Sequence, residues 1–102
     1  MAISDDVKAL IDKKREEAKA EVTQISVDLD AFTAANVNEF LAANRANDMN
    51  RITKALIPFM LGIPKEWGDA KDVKAYEKLP LVLWREVVQR VAELVNYMTS
   101  KN

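Results

Sequence analysis

At 102 residues the chain has room for one modest core and none for a separate catalytic domain. A net charge of −1 leaves neither nucleic acid nor an anionic membrane as the default partner. The absence of both cysteine and histidine removes disulfides, thiolate chemistry, the usual general base and the commonest metal ligand. A hydrophobic fraction of 49% argues against wholesale disorder, and two glycines with three prolines are too few for a turn-rich all-β fold.

Met1-Ala2-Ile3-Ser4-Asp5-Asp6 has neither the basic start nor the apolar centre of a signal peptide. Ser4 is placed to cap a helix whose first turn carries Asp5 and Asp6, where the helix dipole favours negative charge. Val7, Leu10, Ile11, Ala18 and Val22 give that helix a thin apolar seam, broken by the polar run Asp12-Lys13-Lys14-Arg15-Glu16-Glu17. The spacing predicts i,i+3 pairs between Asp12 and Arg15 and between Glu16 and Lys19, each worth only about 0.2–0.5 kcal/mol. The basic cluster is followed at once by two glutamates, so it reads as a solvated face rather than a nucleic-acid patch.

From Ile25 the period changes to two: Ile25, Val27 and Leu29 alternate with Ser26, Asp28 and Asp30. This predicts a short strand or an extended linker. With no second strand evident in the chain, a strand here is expected to pair with another protomer or another protein. Asp28 and Asp30 lack the remaining ligands, glycine and closing glutamate of a calcium loop, so no metal site is expected.

Thr33 caps the next expected helix, with Val37, Phe40 and Leu41 on its inner side. Asn44 to Asp48 reads as a turn in which Asn47 or Asp48 caps the next helix, and Met49, Ile52, Leu56, Phe59 and Met60 as the following stripe. Pro58 should end or bend that helix. Two short helices and a turn leave a helix-turn-helix open, although the second helix offers bases only Arg51, Lys54 and a few polar residues. The apolar run Ala55 to Pro64 is about half the ~20 residues needed to span a bilayer. Trp67, between Pro64 and Gly68, reads as a plug packed on the core, and Asp69 as the cap of a short helix carrying Val73, Tyr76 and Leu79. No phosphate-cradling glycine loop occurs, and Ser4, Ser26 and Ser100 have no histidine to activate them. The clearest helix comes last. Pro80 suits its first turn, and Trp84, Val87, Val88, Val91, Leu94, Val95 and Met98 recur at steps of three and four. The helices between Thr33 and Ile63, poor in charge, are expected to receive that stripe.

The run from Ile25 to Leu94 resembles the phage tail assembly chaperones. Val27-Asp28-Leu29-Asp30-Ala31-Phe32-Thr33 is similar to the DLDALT lead-in of that family's first core helix. Phe40 to Asp48 followed by an apolar helix, Ile63 to Asp69, Asp72 to Tyr76, and Leu79-Pro80 before an amphipathic helix repeat its layout. The resemblance covers about two thirds of the chain. It implies a small, mostly helical, non-enzymatic protein that binds the tape measure protein, and often tail-tube subunits, during virion assembly. It carries over no individual binding residue and does not include the charged helix before Val22. A longer frameshifted form is common in the family, and the codons of Ser100-Lys101-Asn102 are where it would arise.

The expectation is therefore an all-α bundle of about four to five helices with a short extended segment near 25–29: a charged N-terminal helix over 1–24 and a helical core domain over 25–102. No catalytic, cofactor or metal residue is expected, and the protein is expected to be cytoplasmic. Partner contact, as a homo-oligomer or with a client, is assigned to Val7, Leu10, Ile11, Ala18, Val22, Ile25, Val27 and Leu29. The alternative is a small helical regulator that binds DNA or inhibits a protein partner.

Overall fold

The computed structural model describes residues 4–100. Among them are five α-helices: α1 (Asp5–Val22), α2 (Ala34–Ala46), α3 (Met49–Leu56), α4 (Val73–Glu77) and α5 (Leu81–Thr99). They are joined by short 3-10 turns and one two-stranded ribbon, β1 (Ser26–Val27) with β2 (Met60–Gly62). The expected small helical bundle is thus the observed fold. Met1 to Ile3, where the leader reading starts, and Lys101-Asn102, on which the frameshift reading bears, lie outside the described residues.

Helix α1 starts where its polar residues dictate. The Ser4 hydroxyl accepts the Val7 N–H at 3.3 Å, and Asp5 and Asp6 fill the first turn. Both expected ion pairs form, Arg15–Asp12 at 3.9 Å and Lys19–Glu16 at 3.5 Å, joined by Lys14–Glu17 at 3.9 Å. All are solvated and hold the helix only weakly. Its buried side chains, Ala18 and Val22, sit in the last two turns, where α1 packs on α5. Val7 and Leu10 are 47% and 56% exposed, so the first half of the helix carries a half-exposed apolar flank among the described residues.

The extended segment has a partner inside the chain, which corrects the expectation that it must pair with another protein. Ser26 faces Gly62 and Val27 faces Met60 in an antiparallel ribbon with an irregular register. The Asp28 N–H extends it by donating to the Phe59 carbonyl at 2.8 Å. Met60 belonged to the helical stripe on periodicity alone, but Pro58 removes a ladder donor and crowds the preceding turn. The α-helix accordingly ends at Leu56, Ile57–Phe59 tightens into a 3-10 turn, and Met60 emerges extended. Lys71 Nζ donates at 3.1 Å to the Ile57 carbonyl, which also accepts the Met60 N–H. Asp28 is a cap rather than a strand-face residue: its carboxylate accepts the Asp30 N–H at 3.0 Å and opens the turn Leu29–Ala31.

Thr33 caps α2 through the Asn36 N–H, and Asp48 caps α3 through the Arg51 N–H. Between them Asn47 takes φ 55°, a left-handed conformation that asparagine tolerates better than most residues, so α2 ends and α3 begins within two residues. Arg51 then clamps the hairpin, its Nε and Nη2 donating to the two Glu39 carboxylate oxygens at 2.8 and 2.9 Å.

Trp67 is half-buried against the core, as a plug should be. Gly68, at φ 117°, turns the chain where a side chain would be strained, and an added Cβ would lie 3.2 Å from that of Ala75. The cap of α4 is Asp72 rather than Asp69; Asp69 instead accepts the Lys71 N–H in the preceding turn. Pro80 stands one position ahead of α5 rather than inside it. Helix α5 buries Leu83, Trp84, Val87, Val91 and Val95 in one core with Phe40, Leu56, Phe59, Met60 and Tyr76. Phe59 is the hub of the aromatic contacts, 4.5 Å from the Phe32 ring and edge-on to Phe40 at 6.0 Å. Val88 and Leu94 are only half-buried and Met98 is exposed, because the stripe is rotated toward Leu83 and its last turn runs beyond its neighbours.

Candidate partner-binding surface

The residues assigned to partner contact separate into two groups. Ala18 and Val22 lie in the core, and Ile25 and Val27 pack against it, so these four are occupied within the chain. Val7, Leu10 and Leu29 are exposed, and Ile11 is half-buried. Val7, Leu10 and Ile11 lie within five residues on α1, whereas Leu29 is on the separate turn after β1.

A second apolar surface was not marked out by periodicity. It lies along the row Leu81, Arg85 and Gln89, which follow one another at i,i+4 down α5. A cleft of about 510 Å³ opens on one side, bordered by Met49, Ile52, Trp84, Val88 and Ala92. One of about 520 Å³ opens on the other, toward Ile11, Arg15 and Lys19 of α1. Met49 and Leu81 are 50% and 53% exposed. Each is the first residue of its helix, directly after Asp48 and Pro80. That position is the available sequence signal: an apolar residue immediately after a cap stands at the end of its stripe, where a neighbouring helix need not cover it.

The floor of the first cleft is rigid. Trp84 Nε1 donates to Thr53 Oγ1 at 2.9 Å, and the same hydroxyl donates to the Met49 carbonyl at 2.7 Å. Thr53 thus joins α5 to the first turn of α3 and fixes the tryptophan ring beside Met49. Beneath the neighbouring cleft, which Met49 and Leu81 also border, Tyr76 Oη donates to the Ala70 carbonyl at 2.7 Å. Burial, and then the Asp69 charge, push its phenol pKa up. No buried polar side-chain atom lacks a partner among the described residues, so no group is held unsatisfied toward a ligand. No cluster of three or more acidic, histidine or cysteine residues is arranged to hold a metal ion among the described residues. Nor is any helix among them long and apolar enough to cross a membrane.

The surface is thus apolar and open, with the fixed Trp84 ring on one side and Arg85, Arg15 and Lys19 among its lining residues. Comparison of the chain with protein-family models, with curated proteins and with solved structures finds no match.

Proposed function

We propose that the protein is a non-enzymatic assembly chaperone of the phage tail type, which holds an apolar helix of its client in the clefts beside α5. The client suggested by the resemblance is the tape measure protein or a tail-tube subunit. The observation that carries the reading is the pair Met49 and Leu81, half-exposed in the cleft that the fixed Trp84 ring also lines. A client helix laying side chains into the cleft would cover both, as helix-in-groove recognition requires. The resemblance supports it further, since its segments coincide with structural junctions: Val27 to Thr33 leads into α2, and Leu79-Pro80 into α5. Self-association through the exposed start of α1 would keep an empty chaperone soluble. The regulator alternative is weakened on its DNA-binding side, because Arg51, one of the two cations on α3, is held by Glu39.

Co-expression with the tape measure protein of the same tail gene cluster tests the reading. The client is retained on the tagged chain, and Met49→Lys/Leu81→Lys releases it while the chain still melts cooperatively, since both side chains are half-exposed. Failure of the parent chain to retain tape measure or tail-tube protein would overturn it.

A further inference from the structure

The first half of α1 has a direction built into it. Residues 5–12 hold Asp5, Asp6 and Asp12 against one cation, Lys8, whereas residues 13–19 hold Lys13, Lys14, Arg15 and Lys19 against Glu16 and Glu17. In a molecule of net charge −1, residues 5–12 of this helix thus carry −2 and residues 13–19 carry +2, which Glu21 lowers to +1 by the helix end. The uncovered apolar side chains Val7 and Leu10 lie on a flank shared at helical spacing with Lys14 and Glu17, offset from the Ala18 and Val22 face that meets α5. The molecule is also extended, with a radius of gyration of 14.5 Å and a longest dimension of 43 Å. A compact chain of this length would have a radius of about 13 Å.

We infer that this flank is covered by α1 of a second copy, the two helices running antiparallel about a two-fold axis near Leu10. The inference rests on the self-association reading above and adds its partner and orientation. Antiparallel pairing about that axis stacks Leu10 on Leu10 of the partner copy, with Val7 flanking the contact on either side. It also lays each acidic start along the other copy's basic run, with Asp5 and Asp6 beside Arg15 and Lys14. Parallel pairing would instead set aspartates beside aspartates and lysines beside lysines. An isologous contact of this kind closes after two copies. With so few apolar residues per copy it is a weak, concentration-dependent dimer.

The chain has no cysteine, so a single introduced one reports on its own surroundings. Leu10→Cys, oxidised at micromolar concentration, gives a disulfide-linked dimer on a non-reducing gel, because the two copies of position 10 face each other. Asp5→Cys does not, because antiparallel pairing sets its two copies more than about 10 Å apart along the helix axis at ~1.5 Å per residue. Sedimentation equilibrium on the unmodified chain gives a monomer–dimer equilibrium, and Val7→Ser/Leu10→Ser weakens it by about tenfold or more. A parent that stays monomeric at high micromolar concentration overturns self-association itself. A dimer that cross-links through Asp5→Cys overturns the orientation alone. Dimerisation unaffected by Val7→Ser/Leu10→Ser, or an open-ended series of oligomers, overturns the proposed face.

Discussion

Thr53 is the buried polar residue of the core among the described residues, and its hydroxyl serves two elements at once. Thr53→Val keeps the shape but leaves the Trp84 indole N–H without an acceptor, at a cost of about 1–3 kcal/mol in denaturant titrations. Adding Trp84→Phe removes the orphaned donor. The double variant should therefore lose less than the two single losses added together, and strict additivity would mean the bond is not a coupling. Glu39 and Arg51 act differently because they are solvated. The Arg51 hydrogen bonds, more than its charge, hold the Glu39 carboxyl below the usual carboxylate range. The folded pKa lies under the unfolded value of about 4.3, so the pair's small stabilisation is present above that value. It is lost as pH falls through the folded pKa. Glu39→Gln should thus melt slightly below the parent at neutral pH and together with it near pH 2. A gap that persisted at pH 2 would contradict the assignment.

The elements differ in how much they owe to local sequence. Helices α1, α2 and α3 start at Ser4, Thr33 and Asp48, residues whose side chains make the capping bond, and these starts are readable directly. Helix α5 has no capping side chain and stands on its stripe. Val91→Asp puts an unpaired carboxylate at a fully buried position and should cost more than about 3 kcal/mol, seen as a large drop in the thermal midpoint. What local sequence could not disclose was which apolar residues meet across the fold. Met60 fits a helical stripe and a strand equally well, and only Pro58 two residues earlier decides between them. Ser26–Val27 looked partnerless because its mate was hidden in that stripe. Asp69 and Asp72 are both competent caps three residues apart, and Asp72 is the one followed by an α-helix. The candidate cleft was invisible for the same reason: Met49 and Leu81 meet only once α3 and α5 are in place.

For the molecule as a whole, the uneven burial of α1 sets apart what holds the fold and what is free to bind. Val22 is in the core where α1 packs on α5, while Leu10, three turns earlier, is mostly in water. Val22→Ala should lower stability by about 1–3 kcal/mol, from lost burial and the cavity left behind. Leu10→Ser, measured at a concentration low enough to keep the chain monomeric, should change it by less than about 0.5 kcal/mol, as surface substitutions do. Deleting residues 1–10 carries the contrast further. The truncated chain keeps Ile11, Ala18 and Val22 and so keeps the contact with α5. It should give a cooperative melt, and small-angle scattering should show the radius of gyration falling from 14.5 Å toward that of a compact domain. If the truncation instead unfolds the bundle, the start of α1 is holding the fold together, and its exposed apolar flank is not free for partners.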